Sequence, residues 1–375
     1  SVFIWFGEHL ANTVGCHEGW NLADFFNIKP KVQKYLRKAL ILSLAYCYHA
    51  RLPREERRVL VNTITNRWRS FQINVPNSFY GHQNPYGLLG GGLPSYQGPK
   101  AKCRWLNLDF SSFISILEET QREFVSMMNL GEGIALNEAL CENLFMILCS
   151  VLNQIPIFVI GKPGSSKSLA MGLIQSNLNG DASENDFLRS LPAVEVFSYQ
   201  CSPLSTSLGI EQAFESARRY KREASNTVVV ILLDEVGLAE QSPHLPLKVL
   251  HKMLDEAGGR EAVVGISNWS LDPAKMNRAV HLYRPAPTVE DLSITAEGMV
   301  RSANLKGYLH ELARAYNEIY HSQEHPDFWG LREFYSTVRA INSSISSRKF
   351  ITGSEVVVMD SEILLNAILR NFGGR

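Results

Sequence analysis

Apolar residues recur at helical spacing through the first part of the chain. Val32, Tyr35, Leu36, Ala39, Leu40, Leu42 and Leu44 repeat every three to four positions and predict helix within 31–72. The charged turn Pro53-Arg-Glu-Glu-Arg-Arg58 interrupts that run, and a second amphipathic stretch follows from Val59 to Phe71. The pattern then breaks. Between Val75 and Lys100, Gly81, Gly87, Gly90, Gly91, Gly92 and Gly98 alternate with Pro76, Pro85, Pro94 and Pro99, which predicts a linker. Phe110 to Met128 and Asn137 to Asn153 resume the helical period.

From Pro156 the pattern alternates between short apolar runs and amphipathic stretches. Pro156 to Ile160, Val194 to Ser198, Val228 to Leu233 and Ala262 to Ile266 predict strands. Ser166 to Asn177, Ile210 to Glu223 and Leu247 to Asp255 predict the intervening helices. Val228 to Leu233 is apolar at every position, as a strand buried on both faces of a parallel sheet should be. Such alternation implies βαβ units with helices covering the sheet. From Val289 the pattern is helical again: Val289 to Ser302, Tyr308 to Tyr320, Leu331 to Ser343 and Ser354 to Asn371. The expected fold is therefore α/β: a parallel sheet flanked by helices, an α-helical lid after it and a helical segment before it. The expected boundaries are 1–104 for the helical segment and linker, 105–287 for the α/β part and 288–375 for the lid.

Composition narrows this picture in three ways. With 375 residues and 45% hydrophobic content, the chain can bury a sizeable core, which excludes disorder as its main character. Lys+Arg and Asp+Glu are both 37, and the balance argues against a dedicated nucleic-acid or anionic-membrane surface. Six cysteines with no C-x-x-C spacing offer no zinc or redox motif and fit a reducing, cytoplasmic setting. The apolar stretch Ala39 to Ala50 is too short to span a bilayer, so no transmembrane segment is expected. The start Ser1-Val-Phe-Ile has no basic region, and the chain reads as a segment of something longer.

The candidate chemistry sits at the strand ends. Gly161-Lys-Pro163-Gly164-Ser165-Ser166-Lys167-Ser168-Leu169 follows the first predicted strand and opens a helix. That is the context of a phosphate-binding loop, in which glycines let consecutive N–H groups point at phosphate oxygens and the helix N-terminus adds its dipole. Lys167 would reach the terminal phosphates, and Ser168 would offer its hydroxyl to Mg2+. The usual pattern has Gly where this chain has Ser166, so a serine must tolerate a tight backbone there. The strand Val228 to Leu233 ends in Asp234-Glu235. Asp234 is the expected second holder of Mg2+, and Glu235 the expected base for the attacking water. Asn268 ends the next strand and could orient that water. ATP and Mg2+ are the implied ligands.

Together these residues resemble the AAA+ ATPase family: Walker A at 161–168, Walker B at 230–235, sensor 1 at Asn268, then a helical lid. By that resemblance Arg278 is an arginine finger acting in trans, and Arg332 is the sensor 2 residue that contacts the γ-phosphate in cis. Closer still, four stretches are similar to the mysterin family of giant E3 ubiquitin ligases with dynein-like tandem AAA+ modules and a RING finger. They are Gly161 to Ala170, Phe197-Ser-Tyr-Gln-Cys-Ser-Pro203, Leu233 to Glu240 and Gly265 to Arg278, and Trp329 to Tyr335 also looks like that family's lid. The resemblance covers about 130–345. It implies neighbouring AAA+ modules as partners and, through a parent protein, the ubiquitin machinery. No Cys/His constellation for a RING appears in this sequence. Two functional classes remain open: a hydrolysing ATPase module that moves its neighbours, or a module that binds ATP without hydrolysing it and serves as a switch or scaffold.

Overall fold

The computed structural model describes residues 30–70, 110–131, 133–224, 226–256, 261–300, 305–325, 328–352 and 360–373. The chain divides into two compact units, Ser1–Thr120 and Gln121–Arg375. The predicted linker and the expected boundary at 104/105 lie outside the described residues.

In the first unit, α1 (Pro30–Cys47) and α2 (Arg54–Ser70) are joined by a 3-10 turn, His49–Arg51. The expected turn at 53–58 is not where the chain breaks: Pro53 precedes α2, the charged residues Arg54 to Arg58 form its first turns, and the helices separate at the 3-10 turn instead. Ala39, Ile41, Leu42, Ala45 and Tyr46 of α1 are buried, as is Val61 of α2. His49 is buried against Phe113, with ring centroids 6.0 Å apart. Burial first, then the Arg57 charge, pushes its pKa down to about 3, so the imidazole is neutral. Phe113 belongs to α3 (Phe110–Ser126).

The second unit opens with α4 (Glu138–Leu152), capped by Asn137, whose Oδ1 accepts from the Leu140 N–H at 2.8 Å. Five parallel strands follow with intervening helices: β1 (Ile157–Ile160), α5 (Lys167–Asn177), α6 (Asp186–Arg189), β2 (Ala193–Gln200), α7 (Ser207–Glu223), β3 (Thr227–Asp234), α8 (Lys248–Glu256), β4 (Ala262–Ser267), α9 (Pro273–Met276) and β5 (Val280–Tyr283). Every predicted strand is present: β2, β3 and β4 run a residue or two past their predicted ends, β1 starts one residue late at Ile157, and β5 has no predicted counterpart. The sheet order is β2-β3-β4-β1-β5, with all pairs parallel. The βαβ expectation is met. The two-residue period puts Phe158, Ile160, Val229, Ile231 and Leu233 into one core with Ile210 and Phe214 of α7 and Leu250 of α8. α4 is buried from Leu140 to Val151 and contacts β1, β3 and β4.

The lid is α10 (Val289–Met299), α11 (Lys306–Ser322), α12 (Leu331–Thr352) and α13 (Ser361–Phe372). A capping box starts it: Thr288 Oγ1 accepts from the Asp291 N–H, and the Asp291 carboxylate accepts from the Thr288 N–H. Its core is separate from that of the sheet and holds Leu309, Ala313, Tyr316, Phe334, Val338 and Ile341. The Tyr316 and Phe334 rings lie 5.0 Å apart. α12 runs nine residues past its predicted end at Ser343, because Ile345 still faces this core. The final helix begins at Ser361, where Asp360 caps it, and the predicted start at Ser354 lies outside the described residues.

Candidate functional site: a phosphate loop at the strand ends

The loop 161–166 leaves β1 between β4 and β5, at the carboxyl edge where open parallel sheets bind ligands. Two of its residues adopt left-handed backbone. Gly164 has φ +87°, and a Cβ there would stand 2.8 Å from Leu331 Cβ, so only glycine lets the lid helix come this close. Ser166 has φ 58° and ψ 24°. The serine therefore takes the conformation glycine would favour, at a cost of about 1–2 kcal/mol for an L-residue. Ser165 is buried, Pro163 is exposed, and Ser168 and Leu169 are exposed in the first turn of α5.

Lys167 is the meeting point. Its ammonium is buried and donates to the carbonyl oxygens of Gly161 and, at 2.9 Å, of Lys162. It also donates to Asn268 Oδ1 at 3.2 Å and to Ser165 Oγ at 3.3 Å. Burial, with the nearby Arg332 charge adding to it and Asp234 and Glu235 opposing it, brings its pKa down to about 8. Five predicted residues from four segments thus share one electrostatic neighbourhood: Lys167, Asp234, Glu235, Asn268 and Arg332.

The acids sit where β3 ends. Glu235 has φ 51° and ψ 39°, and its N–H donates to Asp234 Oδ1 at 3.0 Å. This left-handed turn swings the Glu235 carboxylate off the strand direction. Gln200 meets it: Nε2 donates to Glu235 Oε2 at 3.0 Å. Gln200 lies beside Asp234 in the β2–β3 register. The sequence reading missed its role, although it lies in the Phe197 to Pro203 stretch. A polar residue at a strand end signals nothing until the neighbouring strand is known.

Ser168 and Asp234 supply a hydroxyl and a carboxylate, hard oxygen donors suited to Mg2+. Among the described residues no group of three or more His, Cys, Asp or Glu side chains could hold a metal by itself. Two oxygen side chains match an ion that completes its shell with water and phosphate oxygens rather than a protein cage.

A cavity opens between the loop and the lid. Lys162, Pro163 and Ser165 line one wall, and Leu292, Tyr316, Tyr320, Leu331 and Arg332 line the other. Arg332 stands in the first turn of α12, whose start is held by Glu333 Oε2 accepting the Gly330 N–H at 2.8 Å. Arg278 is not part of this set. It is exposed just after α9, and its guanidinium donates to Ala274 O at 2.6 Å.

The family model of the RNF213 AAA domain matches residues 133–291, which contain the loop, both acids and Asn268. Residues 133–291 form an AAA+ module of the RNF213, or mysterin, type. The human E3 ubiquitin-protein ligase RNF213 is 32% identical over the whole of this chain, and the chain spans 7% of that protein's length. The mouse RNF213 ligase is 36% identical over 75% of the chain, which covers 6% of it. A structure of Rhizobiales Trip13 aligns with TM-score 0.38 and 18% identity, covering 61% of this chain and 76% of the other. The module is thus a nucleotide-binding AAA+ fold on the grounds of its family and its strand order. Among the described residues no helix is long and apolar enough to cross a membrane.

Proposed function

We propose that the module binds ATP with Mg2+ and hydrolyses it, and that it works as one of several AAA+ modules in a larger mysterin-type ubiquitin ligase. The observation that carries this reading is Lys167, held between the loop carbonyls and Asn268 within the fields of Asp234, Glu235 and Arg332. The loop N–H groups and Lys167 would bind the phosphates, and Arg332 would add positive charge from the lid side. Glu235, oriented by Gln200, would take the proton of the attacking water while Asn268 fixes that water's position. Mg2+, held by Ser168 and Asp234, would neutralise charge on the phosphate oxygens. Arg278, exposed and outside the set, suits a finger for a neighbouring module's site. Lid closure over the cavity would pass the nucleotide state to adjacent modules.

The test pairs ATP binding with steady-state turnover. Glu235→Gln is expected to bind ATP as the wild type does and to lose about 10²- to 10⁴-fold in kcat. Tight wild-type binding without turnover, persisting when the following module is present, would establish the non-hydrolysing alternative instead. No binding at all would sink the phosphate-loop reading of Ser166 and Lys167.

A further inference from the structure

The face of the phosphate loop turned away from the cavity rests on polar residues that a nucleotide-binding reading does not by itself require. α4 is buried along its length, yet it carries Glu142 and Asn143 side by side at its centre. Glu142 forms an ion pair with Arg284, the residue after β5, and both side chains are almost fully buried at 5% and 3% exposure. The Arg284 N–H donates to Ile160 O at 2.7 Å, so its backbone continues the β1–β5 pairing up to the loop. A Cβ on Gly161 would meet Arg284 Cβ at 2.6 Å, so the arginine stem lies flat against the first loop residue. Asn143, at 0% exposure, donates from Nδ2 to Ser165 O at 2.9 Å. Its Oδ1 is buried without a hydrogen-bond partner.

These features are poor stability devices. A buried ion pair can contribute less than a hydrophobic pair of the same volume, because desolvation offsets the attraction. A buried amide oxygen left unpaired is a further cost. Both costs fall on the side chains that touch the loop at its two ends, Gly161 and Ser165.

We infer that Glu142, Asn143 and Arg284 form a buried clamp that holds the loop 161–165 in its phosphate-binding curl. They are positioning residues, acting through the loop backbone and not on the phosphates themselves. The inference rests on the nucleotide reading above. Arg284 presses on Gly161 and is kept extended by Glu142. Asn143 pins the Ser165 carbonyl outward, which leaves the loop N–H groups turned the other way.

The decisive variants remove the polarity and keep the volume: Glu142→Met with Arg284→Met, and separately Asn143→Leu. Each is made in the 375-residue chain and measured for thermal midpoint, ATP and ADP affinity with Mg2+, and affinity for adenosine, which has no phosphate. The expected result is a midpoint equal to or above the wild type. ATP and ADP affinity should fall about 10- to 100-fold, as for a misplacement remote from the ligand, while adenosine affinity is unchanged. Unchanged ATP affinity in both variants overturns the clamp and leaves the nucleotide reading standing. Loss of a cooperative melt in both also overturns it, because the trio would then be serving the fold. A wild type that binds no nucleotide fails the parent reading, and the clamp with it.

Discussion

The sheet edge and the lid hold their functional residues in opposite ways. At the sheet edge, Asn268, Asp234, Glu235 and Gln200 come from strand ends and Lys167 from the start of α5; hydrogen bonds near 3 Å join Lys167 to Asn268, Gln200 to Glu235, and Glu235 to Asp234. Strand register fixes their spacing, and Lys167 is buried among carbonyls. Arg332 stands exposed on the first turn of a helix whose hold on the rest is aromatic packing. Close contacts tie the lid to the α/β part: Leu331 against Gly164, Gly298 against Ala135, and Asn137 Nδ2 donating to Thr295 Oγ1 at 2.8 Å. In the proposed function, the charge that would meet a developing transition state stands on the strand ends and the start of α5. The charge that would arrive with closure, in the same proposal, is on an element held by apolar packing.

This contrast can be broken most severely from the lid side. Phe334 is fully buried in the lid core, beside Tyr316. Phe334→Ala should destabilise that core by about 3–5 kcal/mol. Hydrogen exchange should then show α10 to α13 losing protection while β3 and β4 keep theirs. Equal loss in both would mean that the two cores fold as one unit and that the comparison is false.

A sharper test uses Lys167. With its pKa lowered to about 8, the free protein loses this charge as pH rises through that value. ATP affinity should therefore fall between about pH 7.5 and 9.5, by at most about tenfold per unit. Stability runs the other way. The unfolded lysine holds its proton up to 10.5, so between about 8 and 10.5 the unfolded state binds more protons and the fold gains stability with pH. Lys167→Arg keeps its charge throughout and should flatten both profiles, whatever its affinity. A wild-type profile as flat as the variant's would remove Lys167 as the titrating group.

The smallest expected effect is at Ser166. Glycine would relieve the left-handed backbone strain and lose part of that gain to chain entropy, for a net of about 1 kcal/mol or less in stability. Ser166→Gly should raise the midpoint slightly and leave ATP affinity within about threefold, as the loop curl is already formed. A large affinity change would show that the serine side chain, and not only its backbone, shapes the loop.

Much of this site was legible in the sequence because its parts are local. A glycine-bearing loop between an apolar strand and a helix can do little else, and an apolar strand ending in two acids carries its own polarity. The strand–helix alternation and the helical lid were equally open to reading, since each rests on periodicity within a dozen residues. What could not be read was which strands become neighbours. The order β2-β3-β4-β1-β5 brings Asn268 to Lys167 across 101 positions and Gln200 to Glu235 across 35. Asn143 and Glu142 carried a faint signal, two polar residues inside an apolar helix, but their partners Ser165 and Arg284 did not. The sequence by itself determined the loop, the acids and the class of ligand, because backbone preference and burial act over short spans. Only the tertiary structure decided which residues orient Glu235, which side chains brace the loop and how closely the lid approaches Gly164, because those depend on strand register and packing between segments far apart in the chain.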